Sequence, residues 1–190
     1  MINTLATLYA QPRSIITTRD IALLLRETNP DHLKSKIAYY VKTGALVRIT
    51  QGVFAKNTNY QPRELAAKIY HPSYISFETA LRDAGIIFQH YETIHLAGPF
   101  SKTIHLDGHN LEFHKLKNEI LYNPEGILSK NNYHIASPER AFLDTLYLHK
   151  DFYFDNLNFI DWNRCFELVG LYGNKQLVKR LKQYQKTYAQ

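Results

Sequence analysis

Between Arg19 and Gln51 the chain sets out side chains suited to a polyanion. Lys34 and Lys42 offer positive charge, Ser35 and Tyr39 hydroxyls, and His32 an imidazole; Arg19 precedes them, and Arg48, Thr50 and Gln51 follow. Cations neutralise phosphates, whereas hydroxyl, amide and ring groups reach base edges, so the set carries the chemistry of nucleic-acid contact. His32, Ser35 and Tyr39 are the residues suited to discriminating bases. No bidentate arginine–guanine reader stands out, and no base sequence is specified.

These groups need a scaffold, and the same stretch encodes one. Thr18 can cap a helix whose apolar residues Ile21, Ala22, Leu24 and Leu25 recur at helical spacing. Asn29-Pro30-Asp31 supplies a cap, a proline for the first helical position and an acid for the positive helix end. The helix that follows stops at Gly44. With Leu33 at the centre of its buried face, a 100° step per residue places Ile37, Tyr40 and Val41 beside it. Ser35, Ala38, Tyr39 and Lys42 then fall on the opposite face, with His32 and Lys34 at its flanks. Leu46 to Ile49 and Val53 to Ala55 read as two short strands around Thr50-Gln51-Gly52. Helix, turn, helix and hairpin in that order predict a winged helix-turn-helix over 1–56. In such a unit the polar face enters the major groove, Arg48, Thr50 and Gln51 on the wing meet backbone or minor groove, and Arg19 meets a phosphate. A winged helix can also serve protein–protein contact, which is the competing reading.

A second set of reactive residues lies downstream: His95, His105, His109, Glu112 and His114. Asp107-Gly108 is a hairpin turn signal that pairs Leu106 with His109, Ile104 with Leu111 and Lys102 with Phe113. Ile104, Leu106, Leu111 and Phe113 then share one face, and Thr103, His105, Asn110, Glu112 and His114 the other. In that register His105 and His114 stand roughly 13 Å apart along neighbouring strands, too far for one ion. The expectation is therefore no metal and no cofactor. The chain also lacks a cysteine pair, a phosphate-binding glycine loop, a Gly-x-Ser-x-Gly elbow and a His-Glu-x-x-His helix. It lacks the paired carboxylates of a nucleotidyltransferase as well, and Asp151, Asp155 and Asp161 are irregularly spaced. A non-catalytic protein is expected.

The net charge of +6 is unevenly placed. Residues 1–60 are basic, 61–174 acidic, and the tail from Lys175 carries Lys179, Arg180, Lys182 and Lys186 with no acid. Basic ends suit a polyanion partner. The single cysteine, Cys165, excludes a disulfide framework within the chain and fits the cytoplasm, and no apolar run suggests a membrane partner. Asn57 to Pro62 is polar and ends in a helix breaker. We therefore expect a linker at 57–61 and a second domain over 62–190, giving an α+β protein whose second domain has an antiparallel sheet with flanking helices. Helices are predicted over Met1–Tyr9, Arg63–Tyr70, Phe77–Ala84 (capped by Ser76), from Pro138 (capped by Ser137), Trp162–Gly170 and Lys175–Tyr188. Strands are predicted near Glu119–Tyr122 and Tyr133–Ala136.

The segments His71-Pro72-Ser73-Tyr74-Ile75-Ser76-Phe77-Glu78-Thr79-Ala80-Leu81 and Ile135-Ala136-Ser137-Pro138-Glu139-Arg140-Ala141-Phe142-Leu143-Asp144 resemble the hallmark segments of AbiEi-family antitoxins of type IV toxin–antitoxin, or abortive-infection, systems. The Gly-Val-Phe-Ala of the hairpin resembles the same family's winged helix, although Thr50-Gln51 stand where a basic pair is frequent. The resemblance covers the chain to about Leu148. It implies an autorepressor that binds promoter inverted repeats, as a monomer in solution or as two copies assembled on DNA. It also implies an antitoxin that counters a cognate nucleotidyltransferase toxin without a stable complex. Tyr74, Ser76, Glu78, Ser137, Glu139, Arg140 and Asp144 carry it. Helix capping by Ser76 and Ser137, charge at helix starts from Glu78 and Glu139, and an Arg140–Asp144 pair would explain the same residues structurally. The alternative function is a ligand-responsive winged-helix regulator with a C-terminal sensor domain; a third is an enzyme bearing a winged-helix appendage.

Overall fold

The computed structural model describes residues 4–89 and 92–188. The first three residues of the predicted leading helix, and Ala189 and Gln190 of the tail, lie outside the described residues. The chain divides into two compact units, Met1–Ile69 and Tyr70–Gln190, and both mix helix with strand. No helix among the described residues is long and apolar enough to cross a membrane.

The first unit comprises α1 (Thr4–Tyr9), β1 (Ile15–Thr17), α2 (Thr18–Leu25), α3 (Pro30–Lys42), β2 (Val47–Thr50), β3 (Val53–Ala55) and α4 (Pro62–Ile69). Thr17, not Thr18, caps α2. Its hydroxyl accepts the Asp20 amide while its own amide donates to the Asp20 carboxylate, a reciprocal capping box. Thr18 is otherwise engaged, because its amide donates to the Gly52 carbonyl at 2.9 Å and fastens the start of α2 to the β2–β3 turn. Asn29 caps α3 as expected, accepting the amides of Asp31 and His32. The sheet has the order β1-β3-β2, all antiparallel. Strand β1 is too short to show an alternation, so sequence periodicity passes over it. Leu8, Ile16, Ile21, Leu33, Ile37, Tyr40, Leu46 and Phe54 form the core, and burying each large apolar side chain contributes about 1.5–3 kcal/mol.

The sequence boundary at 57–61 is a loop inside this unit, and α4 belongs with what precedes it. Buried Glu64 accepts the amide and hydroxyl of Ser14 at 2.8 and 2.7 Å, tying α4 to the residue before β1.

The second unit is built on a six-stranded sheet with strands β4 (Tyr74–Ile75), β5 (Ile94–Gly98), β6 (Lys102–Leu106), β7 (His109–Lys115), β8 (Ile127–Lys130) and β9 (Tyr133–Ala136), in the order β6-β7-β5-β4-β9-β8. The β6–β7 hairpin has the expected register, Leu106 opposite His109 and Ile104 opposite Leu111. The sheet is mixed, however, not antiparallel. β5 runs parallel to β7, and β4 parallel to β9. Helices α5 (Phe77–Asp83), α6 (Asn118–Leu121), α7 (Pro138–Leu148), α8 (Trp162–Leu168) and α9 (Lys175–Tyr188) complete the unit, with a 3-10 turn at Val169–Tyr172. The segment expected as a strand near Glu119 is therefore helical. A short run burying Ile120 and Leu121 carries no period that separates the two states.

Helix α7 is the centre of this unit, buried continuously from Arg140 to Leu146. Gly126 admits it closely. Its φ is +72°, its carbonyl accepts the Ser137 amide at 2.7 Å, and an added Cβ would stand 2.9 Å from the Cβ of Arg140. Gly126→Ala should therefore cost at least about 1 kcal/mol from the left-handed backbone alone. Urea unfolding monitored by circular dichroism should show a lowered midpoint; an unchanged midpoint would mean that neither the backbone at 126 nor its approach to α7 restricts the residue.

Candidate functional site

The first unit presents its polar residues as the helical pattern requires. Leu33, Ile37 and Tyr40 are buried and Val41 half-buried, whereas His32, Lys34, Ser35, Ala38, Tyr39 and Lys42 are exposed. Tyr39 is 62% exposed, a large ring standing beside Ala38 on a mainly polar face. Arg19 and Gln51 are exposed and Thr50 half-buried. Arg48 is exposed, with its guanidinium 5.0 Å over the Phe54 ring, so it packs on the core ring and keeps its charge outward.

Two groups of cations can be told apart. Arg13 pairs with Asp20 at 2.6 Å, Lys36 lies 3.8 Å from Glu27, and Lys56 donates to the carbonyls of Tyr9 and Gln11. Burial lowers the Lys56 pKa, against the pull of Glu64. Those three charges serve the fold. Arg19, Lys34, Lys42 and Arg48 face solvent.

In the second unit the structure brings together Tyr74, Ser76, Arg140 and Asp144. Arg140 and Asp144 are both fully buried, with Nε 3.3 Å from the carboxylate. The Tyr74, Ser76 and Tyr172 hydroxyls donate to that carboxylate at 3.0, 2.8 and 2.6 Å. The remaining guanidinium nitrogens donate to the carbonyls of Glu125 and Ile120 and to the Tyr74 oxygen. Burial disfavours the Arg140 charge, and Tyr172, Asp144 and Tyr74 outweigh it, holding the guanidinium above its usual range. Burial, reinforced by Asp144, pushes both the Tyr74 and Tyr172 phenols up, so they remain donors. Tyr172 was missed by sequence reasoning. It lies in the segment outside the family resemblance, and a lone tyrosine there gives no signal.

Ser76 occupies the cap position of α5 but makes no cap hydrogen bond, because its hydroxyl is committed to Asp144. Ser137 does cap α7, accepting the Arg140 amide, and donates to Glu139 at 2.9 Å. Glu139 also accepts the Asp161 amide at 3.4 Å, joining the starts of α7 and α8. Between Ser76 and Glu78, Phe77 adopts φ +53°. That conformation costs about 1–3 kcal/mol for a bulky side chain and persists only when its surroundings dictate it.

Glu78 joins a separate cluster. His95 Nδ1 lies 3.1 Å from His114 Nε2 and 3.2 Å from a Glu78 oxygen, with Glu112 3.8–3.9 Å from both rings. The histidine geometry expected from the hairpin considered β6 and β7. Parallel pairing instead sets His95 opposite Glu112 and Ala97 opposite His114, on one face. His105 stays away from this group, bonded to Asn110 on the exposed hairpin. Burial pushes the Cys165 thiol up, which disfavours the thiolate.

No family model matches the chain, and no curated protein matches it in sequence. The geometry defines a two-unit α+β protein with an exposed cationic face on α3, a second row of exposed lysines on α9 and a buried ionic centre at Arg140 and Asp144. Asp144→Ala should strand the Arg140 charge and cost about 3–5 kcal/mol. Glu139→Gln, at the partly exposed start of α7, should cost under about 1 kcal/mol. Paired denaturation curves check the contrast, and equal losses would deny Asp144 its central place.

Proposed function

We propose that the protein is a DNA-binding antitoxin that represses its own promoter and counters a nucleotidyltransferase toxin. The first unit is read as a winged helix-turn-helix, with α2 and α3 as the helix pair and β2–β3 as the wing. The observation that carries the DNA reading is the face of α3. Lys34, Ser35, Tyr39 and Lys42 project from a helix whose opposite side is the unit's core, and Arg19 and Arg48 are likewise exposed. A helix so divided offers a continuous polar surface to the major groove. The antitoxin reading rests on the resemblance of the Tyr74–Asp144 segments to AbiEi proteins, and the protein is proposed to be non-catalytic and cytoplasmic. The buried network gives Tyr74, Ser76, Arg140 and Asp144 a structural task, so any toxin-directed role belongs to exposed residues of the second unit.

A second reading, a ligand-responsive regulator, has one observation in its favour. A cavity of about 330 Å³ lies beside Tyr74, lined by His71, Pro72, Leu121, Tyr122, Ile127 and His134 among others. That volume admits a small apolar molecule.

Fluorescence anisotropy with a duplex from the gene's own upstream region tests DNA binding. Lys42→Ala should weaken binding to all sequences and flatten the salt slope by about one unit. Arg13→Ala should leave the slope unchanged if the protein folds, since that charge is spent on Asp20. No binding by the wild type would end the repressor reading. Co-expression with the nucleotidyltransferase of the same operon tests neutralisation; unrelieved growth arrest would overturn the antitoxin half.

A further inference from the structure

We propose that Glu78, His95 and His114 form a binding site for a divalent first-row transition ion, zinc foremost, with Glu112 as the fourth ligand on the solvent side. Each of the first three brings a ligand atom to within 4.8 Å of the others. The shortest separations, 3.1 Å between the imidazole nitrogens and 3.2 Å from His95 Nδ1 to Glu78, match a tetrahedral zinc site. Ligands held about 2.0–2.1 Å from such an ion stand about 3.3 Å apart. The carboxylate and both rings are mostly buried, with side-chain exposures of 14%, 8% and 14%, whereas Glu112 is 40% exposed. Three ligands are thus supplied by the packed interior and the fourth closes from the surface.

Proton accounting favours an ion at this point. Two imidazole nitrogens and a carboxylate oxygen converge, and a single N–H on His95 Nδ1 cannot satisfy both neighbours. The Glu78 oxygen facing it accepts no hydrogen bond from the described residues. The ligands are also held in place. The His95 amide donates to the Thr79 hydroxyl at 2.8 Å, and the Phe77 ring packs 4.5 Å from that of His114. Two imidazoles with a carboxylate select zinc and its neighbours over magnesium or calcium, which take oxygen ligands. The bound ion joins α5 to β5 and β7, so it stabilises the second unit by mass action.

The test uses the full chain, stripped with chelator and titrated with zinc chloride against a chromophoric competitor. Cobalt chloride serves as a spectroscopic probe. The wild type should take up about one ion per chain, give tetrahedral cobalt bands and melt at a higher temperature with zinc; magnesium chloride should do none of these. Glu78→Gln and His114→Ala should each weaken zinc binding by at least about a hundredfold, since even supporting residues of metal sites are worth 10–100-fold. His105→Ala, on the exposed hairpin, should bind as the wild type does. If His114→Ala fails to fold, the isosteric Glu78→Gln decides. Absence of saturable uptake by the wild type, unchanged affinity in Glu78→Gln, or loss in His105→Ala would overturn the site.

Discussion

A single charge organises the second unit. Arg140 sits in the first turn of α7 with no exposed surface, and a guanidinium without water must be matched in full or the fold fails. Its donors are matched by Asp144, Tyr74 and the carbonyls of Ile120 and Glu125. Asp144 in turn takes hydroxyls from β4, from the start of α5 and from the 3-10 turn. Segments from Tyr74 to Tyr172 therefore meet at one ion pair. Such a centre adds little net stability over an apolar one, because desolvation consumes the Coulombic gain. What it supplies is a demand on geometry: α6, the turn at Gly126, β4 and α7 fit in one arrangement.

That arrangement reaches the surface through three consecutive residues. Ser76 turns toward Asp144, Glu78 turns toward His95, and Phe77 between them takes a left-handed backbone. A helix capped in the ordinary way by Ser76 would have no reason for the strain. Here the serine keeps the cap position while its hydroxyl is held by Asp144, and the buried pair supplies the constraint that sustains Phe77. The proposed ion site therefore rests on the ionic centre: move Asp144, and Glu78 loses the turn that aims it.

The first unit follows a different rule. Its interior is apolar apart from the Ser14–Glu64 contact, and its chemistry is all on the outside of α3 and the hairpin. Two internal ion pairs, and backbone carbonyls in the case of Lys56, tie Arg13, Lys36 and Lys56 to the fold, so the outward charge comes from fewer residues than the composition suggests. The proposed DNA contact is correspondingly modest for one copy, and two copies on a repeat would compensate.

Local rules were legible in the sequence. The Asn29 and Ser137 caps, the α3 faces and the Asp107-Gly108 hairpin register all depend on residues a few positions apart, where propensity and periodicity act directly. The Arg140–Asp144 pair was legible too, being one helical turn apart. What tertiary structure alone decided is which distant segments adjoin. Strand direction is one example: a parallel β5–β7 pairing leaves no mark on either strand, yet it places His95 beside His114. The shift of α4 into the first unit and the recruitment of Tyr172 have the same origin. Each is settled by burying a charged or polar group, Glu64 in one case and Asp144 in the other, and the partner of a buried polar group is fixed by the whole packing, not by its neighbours in the chain.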